Sequence, residues 1–202
     1  LPAGMQSPVN ITNTVVDGTL APLDMQIGTS TIALRNNGHG LQLDYSSGSS
    51  LQLDGTTYPL LQIHFHTLSE HTVEGERPVM EMHLVHADPS SGQLAVVARF
   101  YEVGAASPFL AAFSSQLPQK SGESLESSTQ IDVGTELSGL DRYYTYQGSL
   151  TTPPCSNIVT WLVLKEKSTL SEEQYDAFRT VMGNNFRPLQ KISGRVIRET
   201  SL

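Results

Sequence analysis

The sequence has few of the features on which disulfide-stabilised, membrane-spanning or nucleic-acid-binding proteins depend. It contains a single cysteine, Cys155, which cannot form an internal disulfide by itself. No segment approaches the ~20 apolar residues that a membrane-spanning helix needs. Its 12 lysines and arginines stand against 20 aspartates and glutamates, which gives a formal net charge of −8. That charge argues against nucleic acid or an anionic membrane as a partner, because both attract clustered basic residues.

What the sequence does contain is typical of one β-rich globular domain. Its 202 residues suit a single domain, and its 16 glycines and 11 prolines predict many turns. Ser- and Gly-rich patches at 46–50 and 121–128 predict surface loops. Alternating or β-branched apolar residues predict strands at 31–34, 60–66, 79–86, 94–103 and 158–164.

Signals for helices are fewer. Ser171 followed three residues later by Gln174 forms a capping box, and Gly183 ends the apolar stripe that follows. A Ser-Pro pair at 107–108 indicates a second, shorter helix over the apolar residues of 109–113. We therefore predict a mainly β fold of the α+β class with a few peripheral helices. These patterns do not determine which strands pair.

The histidines are distributed unevenly, since all 6 lie between positions 39 and 86. If 60–66 is a strand, His64 and His66 point to the same side, because side chains alternate between the two faces of a strand. His83 lies on one face of the strand predicted at 79–86. If these strands are neighbours, the three imidazoles converge. Three neutral imidazoles with an open fourth position are what a catalytic zinc site requires.

Two polar residues strengthen this interpretation. Gln62 and Glu81 each precede a proposed ligand by two positions and share its face. A metal-binding imidazole gives its other N–H to an acceptor, which fixes the tautomer and the ring orientation. A His-x-His pair alone is weak evidence, since many such pairs are surface or core residues with ordinary hydrogen bonds. His71 and His86 fit less well, and we interpret both as structural, bonded to core carboxylates or hydroxyls.

The run QIHFHTLSEHTVEGERPVMEMHLVHAD, at 62–88, resembles the zinc-binding segment of the α-class carbonic anhydrases. Other stretches are similar to the same family and occur in the same order: QSPVNI at 6–11, LRNNGHGLQL at 34–43, YQGSLTTPPCSNIVTWLVL at 146–164 and NNFRPLQ at 184–190. Together they cover nearly the whole chain. The resemblance implies a single domain over 1–202, built around a large twisted, mostly antiparallel sheet with a conical active-site cleft.

The resemblance also implies roles for individual residues. It implies Zn²⁺ as cofactor, bound by His64, His66 and His83. Acceptors for the outer nitrogens of these ligands would be Gln62, Glu81 and the backbone carbonyl of Asn185. Catalytic roles are implied for Thr151, for Glu70 as the carboxylate that orients it, and for His39 as the proton shuttle. Asn37 and Gln42 are implied to anchor a water network. The implied carbon dioxide pocket consists of Val85, Val96, Leu150, Thr152 and Trp161.

The implied activity is the reversible hydration of carbon dioxide to bicarbonate and a proton. Zinc-hydroxide attack on carbon dioxide would be followed by histidine-mediated proton transfer. The protein would then be a zinc lyase whose partners are the small molecules carbon dioxide and bicarbonate. Whether it forms an oligomer cannot be read from the sequence.

Two departures from the family pattern concern the start of the chain and Cys155. The chain starts almost directly at 6–8, whereas members of the family usually carry an earlier segment with aromatic residues at one side of the cleft. Cys155 is similar to a cysteine that, in secreted and periplasmic members, pairs with one before the QSP motif. This similarity implies a periplasmic or extracellular protein; the alternative is a free thiol.

Two other functions are compatible with parts of the pattern. His64-x-His66 followed by Glu70 resembles the first metal-binding motif of cupins, in which Glu70 would be a direct ligand. Cupins also need a later histidine, and none follows His86. The second alternative is a non-catalytic carbonic-anhydrase-like binding or storage domain. Such relatives typically lose zinc histidines, and this chain keeps all three.

Overall fold

The computed structural model describes residues 4–46 and 48–201. Strands account for most of the regular structure in these residues. They are β1 (Asn10–Ile11), β2 (Val15–Val16), β3 (Asp24–Gln26), β4 (Ser30–Asn36), β5 (Leu41–Asp44), β6 (Ser50–Leu53), β7 (Thr56–Thr67), β8 (Thr72–Val73), β9 (Met80–Ala87), β10 (Leu94–Val103), β11 (Ser124–Ile131), β12 (Tyr143–Gly148), β13 (Val159–Leu170) and β14 (Arg198–Glu199). All five segments predicted as strands are strands, which confirms a mainly β fold.

Helices are short and lie beside the sheet. Helix α1 (Pro108–Ala111) is capped by the side chain of Ser107, and α2 (Glu172–Met182) begins at the predicted capping box of Ser171 and Gln174. Single 3₁₀ turns occupy Ser114–Gln116 and Val133–Glu136. Within 4–46 and 48–201, no helix combines the length and the apolar character needed to cross a membrane.

One large mixed sheet organises the molecule. Its strand order is β11-β4-β5-β7-β9-β10-β13-β12-β14-β2, with β6 pairing both β7 and β3 beside this path. Most neighbours are antiparallel, but β10 pairs with β13 in parallel, and so does β14 with β2. Strands β7 and β9 are antiparallel neighbours near the middle of the sheet. That pairing meets the condition on which convergence of the three histidines depended.

The two faces of β9 serve different purposes. Met80, Met82 and Leu84 alternate along the strand and belong to the larger apolar core. Val85 belongs to a second, smaller cluster, and it shares its face with Glu81 and His83 because side chains alternate along a strand. The larger core therefore supports the sheet from one side and leaves the other side for polar groups.

Both predicted loops are partly wrong. In 46–50, Ser49 is buried and Ser50 begins β6, while residue 47 lies outside the described residues. The segment 121–128 was expected to be a surface loop, but Ser124–Ile131 forms β11, an edge strand that pairs with β4. The strand is Ser-rich, but an apolar residue near each end attaches it to the larger core. Leu125 packs against that core, and Ile131 is buried in it. The intervening polar residues face solvent, as expected for an edge strand.

Candidate metal centre

Strand register places the predicted ligands opposite one another. In the antiparallel pair β7–β9, His64 lies directly across from His83, and His66 lies across from Glu81. On the other side of β7, Gln42 of β5 lies across from His64. Residues directly opposite in an antiparallel pair have their Cβ atoms only about 5 Å apart. The sheet itself therefore brings the imidazoles together.

The three imidazoles converge on one point. A nitrogen atom of each of His64, His66 and His83 lies within 4.8 Å of the others. Nε2 of His64 is 3.1 Å from Nδ1 of His83. Ring centroids are 5.0 Å apart for His64 and His66, 5.0 Å for His64 and His83, and 4.8 Å for His66 and His83. This spacing suits ligands arranged around one ion.

The outer nitrogens of two rings face acceptors, as the sequence predicted. Nδ1 of His64 is 2.9 Å from Oε1 of Gln62, and Nε2 of His83 is 2.8 Å from Oε1 of Glu81. An amide oxygen and a carboxylate oxygen can only accept, so each outer nitrogen donates a hydrogen. In a neutral ring, the inner nitrogen then carries a lone pair that points toward the shared centre.

His66 completes the set and provides the clearest sign that something binds there. Its Nδ1 donates to the backbone carbonyl of Asn185 at 3.1 Å. Its Nε2 is buried and has no hydrogen-bond partner among the described residues. Native proteins rarely leave a buried side-chain nitrogen without a partner, and such an atom calls for an ion or a ligand. Three inward lone pairs, one of them unpartnered, fit Zn²⁺.

The electrostatics keep the rings of His64 and His66 neutral. Burial lowers the pKa of His64 well below its usual value, and the neighbouring His83 and His66 rings lower it further. Burial also lowers the pKa of His66, although Glu70 opposes this effect. Because metal ligation requires deprotonated donors, lowered pKa values keep these two rings competent to bind at neutral pH.

Glu81 is a saturated carboxylate behind His83. Its Oε1 also accepts from Nδ1 of His71 at 2.7 Å, and its Oε2 accepts from the backbone N–H groups of Glu70 and His71, both at 2.8 Å. Burial would raise the pKa of Glu81, but the His71 and His83 rings outweigh burial and hold it well below the usual range. The carboxylate therefore stays ionised and fixes the ring of His83.

The interpretation of the two remaining buried histidines is half right. His71 bonds a core carboxylate, Glu81, and a hydroxyl, that of Tyr146 at 2.7 Å from its Nε2, as expected. His86 instead donates from Nδ1 toward backbone carbonyls, that of Leu84 at 3.0 Å and that of Ala95 at 3.3 Å. It lies on the face of β9 that meets the apolar core, where the nearby acceptors are backbone carbonyls.

Glu70 lies beside the histidines with one oxygen unused. Its Oε1 accepts the backbone N–H of Arg187 at 2.8 Å. Its Oε2 is 3.4 Å from Nε2 of His66 and has no hydrogen-bond partner in the described part of the chain. The expected contact from Thr151 to this oxygen is thus not formed in this structure. The pairing of the two residues remains a prediction.

A small cavity of about 80 Å³ opens beside the histidines and reaches the surface. The predicted shuttle His39 and the predicted water anchors Asn37 and Gln42 line it together with His64 and His66. The structure therefore gathers the shuttle and water-network candidates around one opening. Also lining the cavity are Gly40, Leu41, Gln62, Phe65, Thr152 and Asn185.

An apolar wall adjoins the histidines. Val85, Val96 and Trp161 are buried in the smaller cluster, with Leu150 packed against them. The register sets Val96 beside Val85 on one side and Trp161 on the other, and the Trp161 ring lies 4.9 Å from that of His83. The predicted pocket residues therefore adjoin the candidate ligands, except for exposed Thr152, which lines the cavity instead.

Sequence reasoning missed two supports of the site. Tyr146 bonds His71 and also lies 2.9 Å from Oγ of Ser7, while Arg187 offers its backbone N–H to Glu70. Strand alternation could not identify these residues, because they are far from the histidines in the sequence. Both lie inside the family-like stretches, which is the only signal that pointed to them.

Fold and site together define a mainly β protein with three converging histidines that could hold a metal ion, and comparison with known proteins identifies its family. The family model for eukaryotic-type carbonic anhydrases matches residues 3–201. The chain belongs to this family, the α-carbonic anhydrases, and is an enzyme of that class. The general reaction of the class is the hydration of carbon dioxide.

Individual relatives agree with this assignment. A carbonic anhydrase of Klebsiella pneumoniae is 41% identical over 197 residues, which cover 96% of this chain and 79% of the relative. One from Pectobacterium atrosepticum is 39% identical over 193 residues, covering 95% and 78%. The solved α-carbonic anhydrase of Photobacterium profundum superimposes with a TM-score of 0.92 at 38% identity, covering 97% of this chain and 89% of that one. The cupin alternative is therefore wrong.

Proposed function

We propose that the protein hydrates carbon dioxide with a Zn²⁺ ion held by His64, His66 and His83. The observation that carries the proposal is the convergence of three inward nitrogens within 4.8 Å, one of which is buried without a partner. When bound, zinc lowers the pKa of a coordinated water to about 7, a value known for carbonic anhydrases as a class, and so supplies a nucleophile at neutral pH.

The residues behind the ligands hold each ring in one tautomer. Gln62, Glu81 and the Asn185 carbonyl accept from the outer nitrogens at 2.9, 2.8 and 3.1 Å. Loss of such an outer partner typically lowers metal affinity by about 10–100-fold. We assign these three groups to metal retention.

Glu70 and Thr151 would set the direction of attack. The unpartnered Oε2 of Glu70 is available to accept the hydroxyl hydrogen of Thr151. Thr151 would then offer only a lone pair, so it could accept a hydrogen bond from the attacking oxygen but not donate one. Such positioning matters, because a misplacement of about 1 Å can lower a rate by about 100-fold.

The apolar wall and the cavity would divide the remaining tasks. Val85, Val96 and Trp161 offer carbon dioxide an uncharged surface that binds the bicarbonate anion poorly, because burying a charge is costly. His39 is exposed at the cavity, where an imidazole can carry the released proton to buffer. The apolar residues would thus serve the substrate, and His39 would serve release of the proton.

The test compares carbon dioxide hydration by stopped flow in the zinc-loaded, zinc-stripped and zinc-restored enzyme. We expect activity to disappear with the metal and return with it, and His83→Ala to lose both zinc and turnover. His39→Ala serves as the matched control, since it should keep zinc and lose turnover only in weak buffer, with rescue by imidazole. A chain that binds zinc but shows no zinc-dependent hydration would instead be a non-catalytic binding domain.

We also propose that the protein works outside the cytoplasm. The proposal is based on the match of Cys155, a half-buried free cysteine in this structure, to the disulfide-forming cysteine of exported members. Cell fractionation with an antibody against the protein tests it. Recovery in the cytoplasmic fraction alone would contradict it.

A further inference from the structure

The side-chain amide of Asn185 joins two parts of the site that the sequence keeps far apart. Its Nδ2 donates to the backbone carbonyl of His39 at 3.1 Å and to that of Phe65 at 3.1 Å. Its Oδ1 accepts the backbone N–H of Thr67 at 2.9 Å. Two carbonyls on one side and an N–H on the other fix the orientation of the amide, and both of its N–H donors are used.

The backbone of the same residue holds β7 and a candidate ligand. Its N–H donates to the carbonyl of Thr67 at 3.0 Å, and its carbonyl accepts from Nδ1 of His66 at 3.1 Å. Asn185 is therefore fastened to β7 at several points. From that fixed base, one N–H of its side chain extends to the loop that carries His39.

That loop, at 37–40, connects β4 to β5 and has few other attachments. Residues 37–39 are exposed, and the N–H groups of His39 and Gly40 bond within the loop to Oδ1 of Asn37, at 2.9 and 3.0 Å. A Cβ atom on Gly40 would lie only 2.8 Å from Nδ2 of Asn185 and 3.5 Å from the Phe65 carbonyl. The loop thus rests directly on the amide, and glycine permits that approach.

We propose that the Asn185 side chain is a positioning residue for proton transfer, which holds the 37–40 loop against β7 and so keeps His39 at the cavity beside His64 and His66. This inference rests on the proposed role of His39. The backbone carbonyl of Asn185 serves His66, whereas its amide serves the shuttle loop. One residue thereby sets the separation between the proton carrier and the ligands.

Proton transfer should be more sensitive to this amide than the fold is. A single net hydrogen bond contributes only about 1 kcal/mol, so the sheet remains folded when the bond to the loop is lost. The loop, in contrast, has little buried surface to hold it. Losing the bond should spread His39 over several positions, most of them too far from the cavity for transfer through a short chain of waters.

Asn185→Asp is the sharpest substitution. It preserves the shape and the acceptor for the Thr67 N–H, but sets a carboxylate oxygen against the His39 and Phe65 carbonyls. The backbone contact to His66 is unchanged. Asn184→Asp is the matched control, because it adds the same charge one residue earlier at an exposed position.

The kinetic measurement is stopped-flow carbon dioxide hydration of the zinc-loaded enzymes in weak buffer, with and without imidazole. For Asn185→Asp we expect kcat to fall about 10–100-fold, while kcat/KM stays within about twofold and imidazole restores kcat. Zinc affinity, measured by competition with a chelator, should stay within about threefold of the parent, well short of the 10–100-fold loss typical of removing an outer partner of a ligand. The proposal would be overturned if Asn185→Asp kept the kcat of the parent. It would also be overturned if the variant lost zinc affinity and kcat/KM together.

Hydrogen exchange separates this inference from the proposed function. In Asn185→Asp, exchange at the His39 and Gly40 amides should accelerate, while Asn184→Asp leaves it unchanged. Unchanged exchange in Asn185→Asp would overturn the positioning role whatever the kinetics show. If exchange accelerates but His39→Ala has no defect in weak buffer, the contact is real and the shuttle role of His39 fails, and the positioning role in proton transfer fails with it.

A second substitution approaches the contact from the loop. Gly40→Ala should push the loop away from Nδ2 of Asn185 and reproduce the imidazole-rescued fall in kcat. Gly18→Ala is its control, since a Cβ there meets nothing within 4 Å. A normal kcat for Gly40→Ala, together with slow exchange at the loop amides, would count against the proposal.

Discussion

Two glutamates buried beside the histidines are treated very differently by the structure. Glu81 is 0% exposed and Glu70 is 1% exposed, so neither reaches solvent. Both oxygens of Glu81 accept two hydrogen bonds each, from the rings of His71 and His83 and from two backbone N–H groups. Glu70 accepts one bond, from the Arg187 N–H, and its second oxygen has no partner among residues 4–46 and 48–201.

The difference distinguishes Glu81, whose hydrogen bonds are complete, from Glu70, which has an oxygen free to accept another hydrogen bond. A buried carboxylate with every lone pair engaged is stable and rigid, which suits the task of fixing a ring. A buried oxygen without a hydrogen bond costs free energy, and beside the candidate ligands such an oxygen is available to another group or a ligand. We therefore expect Glu81 to support the site and Glu70 to take part in the chemistry.

The largest effect should follow Glu81→Gln. The amide would present N–H donors to N–H groups that now donate to the carboxylate, so several buried groups would lose their partners. We expect the free energy of unfolding to fall by about 3–5 kcal/mol and zinc affinity to fall about 10–100-fold. Denaturant unfolding and competition for zinc measure the two losses.

Glu126→Gln provides the control for that substitution. Glu126 is an exposed glutamate on the edge strand β11, where removal of a charge should change stability by less than about 0.5 kcal/mol. If Glu81→Gln proved as mild as Glu126→Gln, the saturated carboxylate would have no structural role and the contrast with Glu70 would disappear.

Glu70→Gln should affect turnover more than stability. The amide oxygen can still accept the Arg187 N–H, but the amide nitrogen cannot accept the Thr151 hydroxyl. We expect kcat/KM to fall about 100-fold, with zinc retained and the free energy of unfolding changed by no more than about 1 kcal/mol. Stopped-flow hydration, metal analysis and denaturant unfolding make the three measurements. Loss of zinc would mean that Glu70 is itself a ligand.

The sequence predicted the site unevenly, and strand geometry explains why. His64, His66, His83 and their acceptors Gln62 and Glu81 lie on two strands, where alternation alone assigns a common face. The partners that come from elsewhere could not be derived in this way. Asn185, for example, approaches β7 from the segment after α2, 119 positions away from His66. Long-range packing of this kind has no periodic signature, and only the family resemblance pointed to it.

The same limit applied to the fold. Five strands were predicted, whereas β5 and β12 were not. The first part of β11 was expected to belong to a loop, because most residues of this strand are polar and only Leu125 and Ile131 face the core. An edge strand is held on one side only, so its composition stays close to that of a loop. The hydrogen-bond partners of His86 were predicted wrongly for a related reason. Strand alternation assigns the face on which His86 lies, but it does not show that the acceptors there are backbone carbonyls.

His86 provides the most specific test of the comparison, because it too has an unpartnered buried nitrogen but lies away from the site. Its Nε2 has no partner in the described residues, and burial lowers its pKa to about 4, despite the opposing carbonyls of Ala95 and Leu84. His86 belongs to neither group of described residues that could hold a metal ion, so its unpartnered nitrogen does not mark a metal site. We expect it to appear only as a cost to stability in acid.

The sign of that cost follows from proton linkage. In the unfolded chain His86 titrates near the usual value of about 6.5, so between that pH and about 4 the unfolded state binds more protons than the folded state. Its contribution to stability is complete above about pH 6.5 and declines by about 3 kcal/mol as the pH falls to about 4.

His86→Gln cannot titrate, so the stability difference between the parent and this variant should shrink by that amount from pH 7 to pH 4. Contributions from His64 and His66 are common to both proteins and cancel in the difference. Urea unfolding of both proteins at several pH values measures this difference. If the difference in unfolding free energy between the parent and His86→Gln did not change with pH, burial would not lower the pKa of His86. The buried ring would then be charged or hydrated in the folded protein.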